Sequence, residues 1–189
     1  MSRLPVEGAG DRHSAFAPIV DANTRVLILG SLPGVVSLGA GQYYAHPQNA
    51  FWRLVGTAIG TDLDRLGYDA RLAMLRAHGI GLWDTVATAR RSGSLDAAIR
   101  DIDARDLGGL IATLSALRLV AFNGQKAAAI GARTLPPGFP QVTLPSSSPA
   151  HTLNLAAKAA AWAVVGAGLA AAAPLAPRLP LPYLVTVGS

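Results

Sequence analysis

Residues 26–52 read VLILGSLPGVVSLGAGQYYAHPQNAFW, and this stretch decides the fold. It opens with a short apolar, β-branched run of the kind that forms a buried strand, bounded by turn residues. The chain then breaks on Gly30, Pro33 and Gly34 and places aromatic, His and Asn residues ahead of a second apolar run. In an open α/β fold, ligands bind outside the carboxyl ends of the strands, where such a loop would lie. Residues 142–151, VTLPSSSPAH, repeat the design as a short strand followed by a hydroxyl-rich turn. Two such loops at neighbouring strand ends would face each other across one cleft.

Working outward, residues 25–30 are the first strand and 31–48 a long loop. Loops of that length within a compact domain usually carry function. Asn49 is placed to cap a helix over 50–59, which puts Phe51, Leu54, Val55 and Ala58 on one face. Helices are expected over 69–78, stopped by Gly79, over 106–117, and from Asn123-Gly124 through 133. A basic turn is expected at 90–93, and Ser94 is placed to cap a short helix running to 100. Further strands are expected at 80–86, 119–122 and 141–144, and Asn154 caps a final Ala-rich helix. Strands thus alternate with helices four times. This predicts an α/β fold, a three-layer α/β/α sandwich with a central four-stranded parallel sheet. One domain over 1–189 is expected, with loose termini at 1–15 and 175–189.

Composition narrows the chemistry. The 189 residues contain no cysteine, which excludes disulfides, thiolate zinc sites, iron–sulfur clusters and a cysteine nucleophile. The formal charge of +5 favours a polyanionic partner, although only Lys126 and Lys158 of the sixteen basic residues are lysines, and the arginine excess also fits a compositional bias. The N-terminal region lacks a secretory pattern. The stretch 155–173, mostly Ala and Gly with Lys158 inside it, reads as a helix on the sheet rather than a membrane span. A cytoplasmic monomer, nucleoid-associated if bacterial, without membrane contact is the expectation.

Common nucleotide and hydrolase sites are missing. There is no GxxxxGK[ST] loop, no GxGxxG after the first strand and no GxSxG elbow. The histidines at 13, 46, 78 and 151 lack metal-ligand spacing, so neither a metal nor another cofactor is expected. What remains is a cleft rich in amide, hydroxyl and aromatic groups and poor in carboxylates. That set suits a flat neutral ring, held by stacking and by hydrogen bonds to its edge.

GSLPG at 30–34, QYYAHPQNAFW at 42–52, FNGQK at 122–126 and LPSSSP at 144–149 resemble the uracil-DNA glycosylase superfamily, and within it the hypoxanthine-DNA (deoxyinosine) glycosylases. The resemblance spans roughly residues 25–155. It implies a monofunctional base-excision enzyme acting on a nucleotide flipped out of DNA containing a deaminated base. Leu32 departs from the superfamily pattern: uracil-specific members carry Asp there and mismatch-specific members Asn, the residue that positions the attacking water. Leucine has no hydrogen-bonding side chain, so the resemblance shifts that catalytic role to Asn49.

The same resemblance makes Tyr44 the base-stacking aromatic and Asn123 the base-edge reader. Gly30, Ser31, Leu32, Pro33 and Gly34 form the loop beside the base, and His46 belongs to the same binding set. Ser146, Ser147, Ser148 and His151 would meet DNA phosphates. Plainer readings stand beside these. Asn49 is placed as an N-cap, Tyr44 as a half-buried core aromatic, His46 as a loop brace, Asn123 as a turn residue, and His151 as a cap of the last helix. Asp84 would orient loop backbone rather than react. No lysine falls in the cleft motifs, Lys126 being nearest in sequence, so no Schiff-base step is expected. Rival functions are a mismatch-specific uracil/thymine enzyme, a non-catalytic DNA-binding relative, and a hydrolase or transferase of free nucleosides.

Overall fold

The computed structural model describes residues 12–90 and 99–171. Strand β2 (Val26–Gly30) is buried along its whole length and sits inside a four-stranded parallel sheet. Its neighbours are β3 (Ile80–Asp84) on one side and β6 (Leu119–Asn123) on the other, with β7 (Gln141–Leu144) outside β6. Because β2 is central, its side chains supply two cores. Val26 and Ile28 face one layer with Phe51, Leu54, Leu75, Leu82 and Trp162. Leu27 and Leu29 face the other, with Leu107, Ile111, Val120 and Phe122. A fully buried aliphatic or aromatic side chain contributes roughly 1.5–3 kcal/mol, so this two-sided burial fixes the strand's place.

The first core is covered by α2 (Phe51–Ile59), α3 (Tyr68–Ala77) and α6 (Leu155–Ala170). The second is covered by α4 (Leu107–Thr113) and α5 (Gln125–Gly131). The molecule is therefore the expected α/β/α sandwich. Gly79, at φ 75°, ends α3 in the left-handed conformation that glycine adopts without penalty. Asn154 caps α6 as anticipated, its side chain accepting from the Ala157 N–H at 2.9 Å.

Several elements differ from expectation. The loop after β2 contains a short helix, α1 (Val35–Ala40), between Gly34 and the left-handed Gly41; the flanking glycines hide it in the sequence. The expected strand 80–86 divides at Thr85. Its N–H bonds Gly30 O at 2.8 Å, after which the chain leaves the parallel sheet as β4 (Val86–Arg90). Strand β4 lies between β1 (Arg12–Ser14) and β5 (Arg100–Ala104) in a separate antiparallel sheet. Residues 12–14 are thus paired backbone rather than a loose arm, and Arg90 ends a strand rather than opening a turn. The rest of the basic turn and most of the helix expected from Ser94 fall outside the described residues, but Arg100 opens a strand instead of closing a helix. The expected helix to 117 stops at Thr113, and the remaining residues turn into β6. The N-terminal residues before 12 and the Pro-rich tail also lie outside the description.

Candidate active site

The strand order β3-β2-β6-β7 means that the chain leaves β2 toward one side and returns on the other. Such a reversal opens a crevice at the carboxyl ends of the two strands where it occurs, here β2 and β6. Gly30 ends β2 and Asn123 ends β6, while the second expected loop follows β7, so the two loops leave strands separated by β6 rather than neighbours and are joined across the end of β6.

Their junction is specific. The Asn123 Nδ2 donates to Ser147 Oγ at 2.8 Å, and the Ser147 N–H donates back to Asn123 Oδ1 at 2.8 Å. Asn123 is 7% exposed and Ser147 1%, so this reciprocal pair is buried. Gly124 follows at φ 103°, a conformation open to glycine, and a Cβ there would press on Ser146 Cβ at 3.1 Å. Ser147 also binds the other loop: its carbonyl accepts from the Ala50 N–H at 3.0 Å. One residue back from that bond is Asn49.

Asn49 is not the N-cap. Ala50 occupies that position without a side-chain cap, and the Asn49 Oδ1 instead accepts from the Phe51 N–H at 3.0 Å. The correction is one of register: His46 O accepts the Asn49 N–H at 2.9 Å, and this turn places the Asn side chain one residue before the cap. The result is an oriented amide with one carbonyl lone pair committed and a second available.

Tyr44 has φ 53°, unusual for a residue with a large side chain. Its ring stacks on Phe51 with centroids 3.7 Å apart and planes 9° from parallel. Gly30 permits this arrangement by its size. A Cβ at Gly30 would lie 2.7 Å from Asp84 Oδ1 and 3.2 Å from the Tyr44 hydroxyl. Asp84, paired in register with Gly30 across β2 and β3, is 2% exposed. Sequence reading assigned it a supporting role only; its place against Gly30 and the Tyr44 hydroxyl puts a buried carboxylate within the crevice.

The other expected residues are distributed less evenly. Ser31 and Leu32 are buried, and the Leu32 side chain packs with Val86, Ala89 and Ile99. Pro33 and Gly34 lead into α1, where buried Ser37 Oγ accepts from the Ala45 N–H at 3.1 Å and ties the helix to the Tyr44 loop. His46 Nδ1 accepts from the Gln48 N–H at 3.2 Å, bracing its own turn. Ser146 and Ser148 are half-buried and His151 is exposed, its N–H bonded to Ser148 O at 3.1 Å. Lys126 is not the only lysine to consider: Lys158 on α6 is buried beneath the 145–151 loop and donates to Ser148 O at 3.2 Å. Its signal in the sequence was a lone charge in an Ala-rich helix.

Electrostatics around the crevice favour neutral tyrosines. Burial, then the negative charge of Asp84, raises the Tyr43 pKa far above its usual value of 10.0. Burial likewise raises that of Tyr68, whose hydroxyl accepts from the Tyr43 N–H at 3.0 Å. An unfolded chain would therefore release these protons first. The stability they confer is complete below pH about 10 and is lost as pH rises above it. Urea unfolding should show a lower midpoint at pH 11 than at pH 9, and a Tyr43→Phe, Tyr68→Phe double variant should lose most of that difference. An unchanged difference in the variant would assign it to other groups.

Two surface concavities, of about 280 Å³ beside α2 and Leu63 and about 360 Å³ between α6 and Leu119, lie away from these loops. The convergent polar groups, not cavity size, mark the site. Among the described residues no cluster of three His, Cys, Asp or Glu is placed to hold a metal, and no helix is long and apolar enough to cross a membrane.

A parallel sheet of this order with an amide, hydroxyl and aromatic crevice at its switch point agrees with a family comparison, in which the Uracil DNA glycosylase superfamily matches residues 17–166. The chain belongs to that superfamily. It is 40% identical over 152 residues to the hypoxanthine DNA glycosylase of Methanosarcina barkeri, covering 80% of this chain and 96% of that one. It is 43% identical over 136 residues to that of Methanosarcina acetivorans, covering 72% and 86%. A solution NMR structure of a uracil DNA glycosylase candidate from M. acetivorans superposes with TM-score 0.77 at 38% identity, covering 85% of this chain and all of that one.

Proposed function

We propose that this chain, a DNA glycosylase, removes hypoxanthine from DNA and leaves an abasic site. The observation that carries the reading is the Ala50–Ser147 bond, which brings the oriented Asn49 amide beside the loop tied to Asn123. The names of the two Methanosarcina relatives support hypoxanthine as the base. Leu32, buried among apolar neighbours, supports it too, because its side chain has no way to orient water for a uracil-type reaction.

In this mechanism the strand docks by its phosphates on Ser146, Ser148 and His151. The inosine nucleotide swings out of the duplex, and its base stacks on Tyr44 opposite the face covered by Phe51. Asn123, held by Ser147, and the backbone of 30–34 read the base edge. Water held by the free lone pair of Asn49 Oδ1 attacks C1′ as the bond from C1′ to N9 breaks. The bonding electrons leave with the base, which takes a proton from solvent, and the water's second proton is released. A neutral amide stabilises the developing sugar cation only through its dipole, which suits a base that leaves readily.

The test uses labelled duplexes holding one inosine, one uracil or one thymine mismatch, with alkali cleaving any abasic site. Breaks at inosine are expected. Breaks confined to uracil or thymine would overturn the base assignment in favour of the mismatch reading, and binding without breaks would overturn catalysis. Cleavage of free deoxyinosine with no salt-dependent DNA affinity would favour a nucleoside enzyme.

A further inference from the structure

Lys158 has a place in the fold that neither its helix nor its core explains. It closes the first turn of α6, 4% exposed, on the buried face that also carries Trp162, Val165 and Leu169. A buried ammonium ordinarily persists by pairing with a carboxylate. None of the ion pairs among the described residues includes Lys158. Its side chain makes one hydrogen bond there, to Ser148 O, although an ammonium carries three donors. Burial pushes its pKa down, with no opposing charge to hold it up.

What lies above it is the 145–151 loop. Trp162, one turn further along α6, holds the start of the same loop through Nε1 to Pro145 O at 2.9 Å. The neighbouring lysine would hold Ser148 by the same means if position were all that mattered, but a neutral donor would do so without the cost of burying charge. The positive charge itself therefore calls for a partner, and the loop is the surface through which one would approach.

We propose that Lys158 is the buried cation of a phosphate seat: it braces the 145–151 loop through Ser148 and supplies the charge that a backbone phosphate of the bound strand neutralises. This rests on the DNA reading above and names a positioning and binding residue for it. Neutralising one phosphate contributes about 0.9 to the slope of log affinity against log salt concentration.

The experiment measures binding of a duplex with a tetrahydrofuran abasic analogue between about 50 and 200 mM salt, by fluorescence anisotropy. Lys158→Met should lower the slope by about 0.9 and weaken binding roughly tenfold at the low-salt end, whereas Lys158→Arg keeps the slope. Weaker binding at an unchanged slope would reduce Lys158 to a structural brace and overturn the proposal. Should the Met variant fail to fold, the wild-type protein still decides. Lys126 and Lys158 are its two lysines, so ¹³Cε-lysine labelling gives two signals, assigned with Lys126→Arg. The Lys158 signal should shift on saturation with the duplex. No shift, or a shift with inorganic phosphate but not with DNA, would overturn the assignment. Inosine excision on the same preparations separates the two readings: excision with an unchanged slope removes only the role of Lys158, and a changed slope without excision leaves the seat in place on a protein that binds but does not cut.

Discussion

Replacing Asn49 by alanine should lower single-turnover excision of hypoxanthine about a thousandfold, a loss of roughly 4 kcal/mol of transition-state stabilisation. The same change should cost the fold only about 1 kcal/mol, the usual price of losing a side-chain acceptor at a helix start. The two magnitudes separate chemistry from structure. If Asn49 served only the Phe51 N–H it accepts at 3.0 Å, activity and stability would fall together and modestly. Asn49→Asp sharpens the comparison. A carboxylate accepts the same N–H, suits the positive end of α2, and retains lone pairs for water, so it should keep activity within about tenfold of the parent. An alanine variant within threefold of wild type would end the catalytic assignment.

Asn123→Ala should be the most damaging single change to the fold near the site. It deletes both bonds of the buried pair with Ser147 and leaves that residue's N–H and hydroxyl without partners. Each orphaned buried group costs about 1–3 kcal/mol, so a loss of roughly 2–4 kcal/mol and a fall in Tm of about 5–15 °C are expected. Excision should fall as well, because Ser147 O is the acceptor for Ala50 and releasing it loosens the base of Asn49. A double-mutant cycle with Ser147→Ala checks the origin: the pair should couple by about 1–2 kcal/mol. Additive losses would mean that the two residues act separately.

Much of this was legible in the sequence because the determining signals are local. The strand at 141–144 and the Asn154 cap were placed correctly from a four-residue run and one amide before an Ala-rich helix. The glycines that end β2 and stop α3 also announced themselves. The antiparallel sheet did not. Every residue of β5 is exposed, and in RDIDA only Ile102 and Ala104 stand apolar among charged neighbours, a pattern too short to betray a strand. The break at Thr85 depends on a bond to Gly30 O that exists only after β2 and β3 have paired. The burial of Asp84 and Lys158 was hidden for a related reason. Burial is a property of the assembled layers, and a charge gives no sign in sequence of whether it will face water or sit against Gly30 or Ser148.

The loops that form the crevice run directly into α2 and α6, and these two helices meet without a gap. A Cβ at Gly166 would lie 2.5 Å from Ala58 O, and Phe51 meets Trp162 edge to face with centroids 5.8 Å apart. With their roots fused in this way and their tips joined through Ser147, the two halves of the crevice have little freedom to clamp down on a substrate. For an enzyme acting as proposed, deformation then falls to the duplex. The ease with which a base pair opens would set the pace, so an inosine beside a mismatch or a weakly stacked neighbour should be removed faster than one in a stiff, well-paired tract.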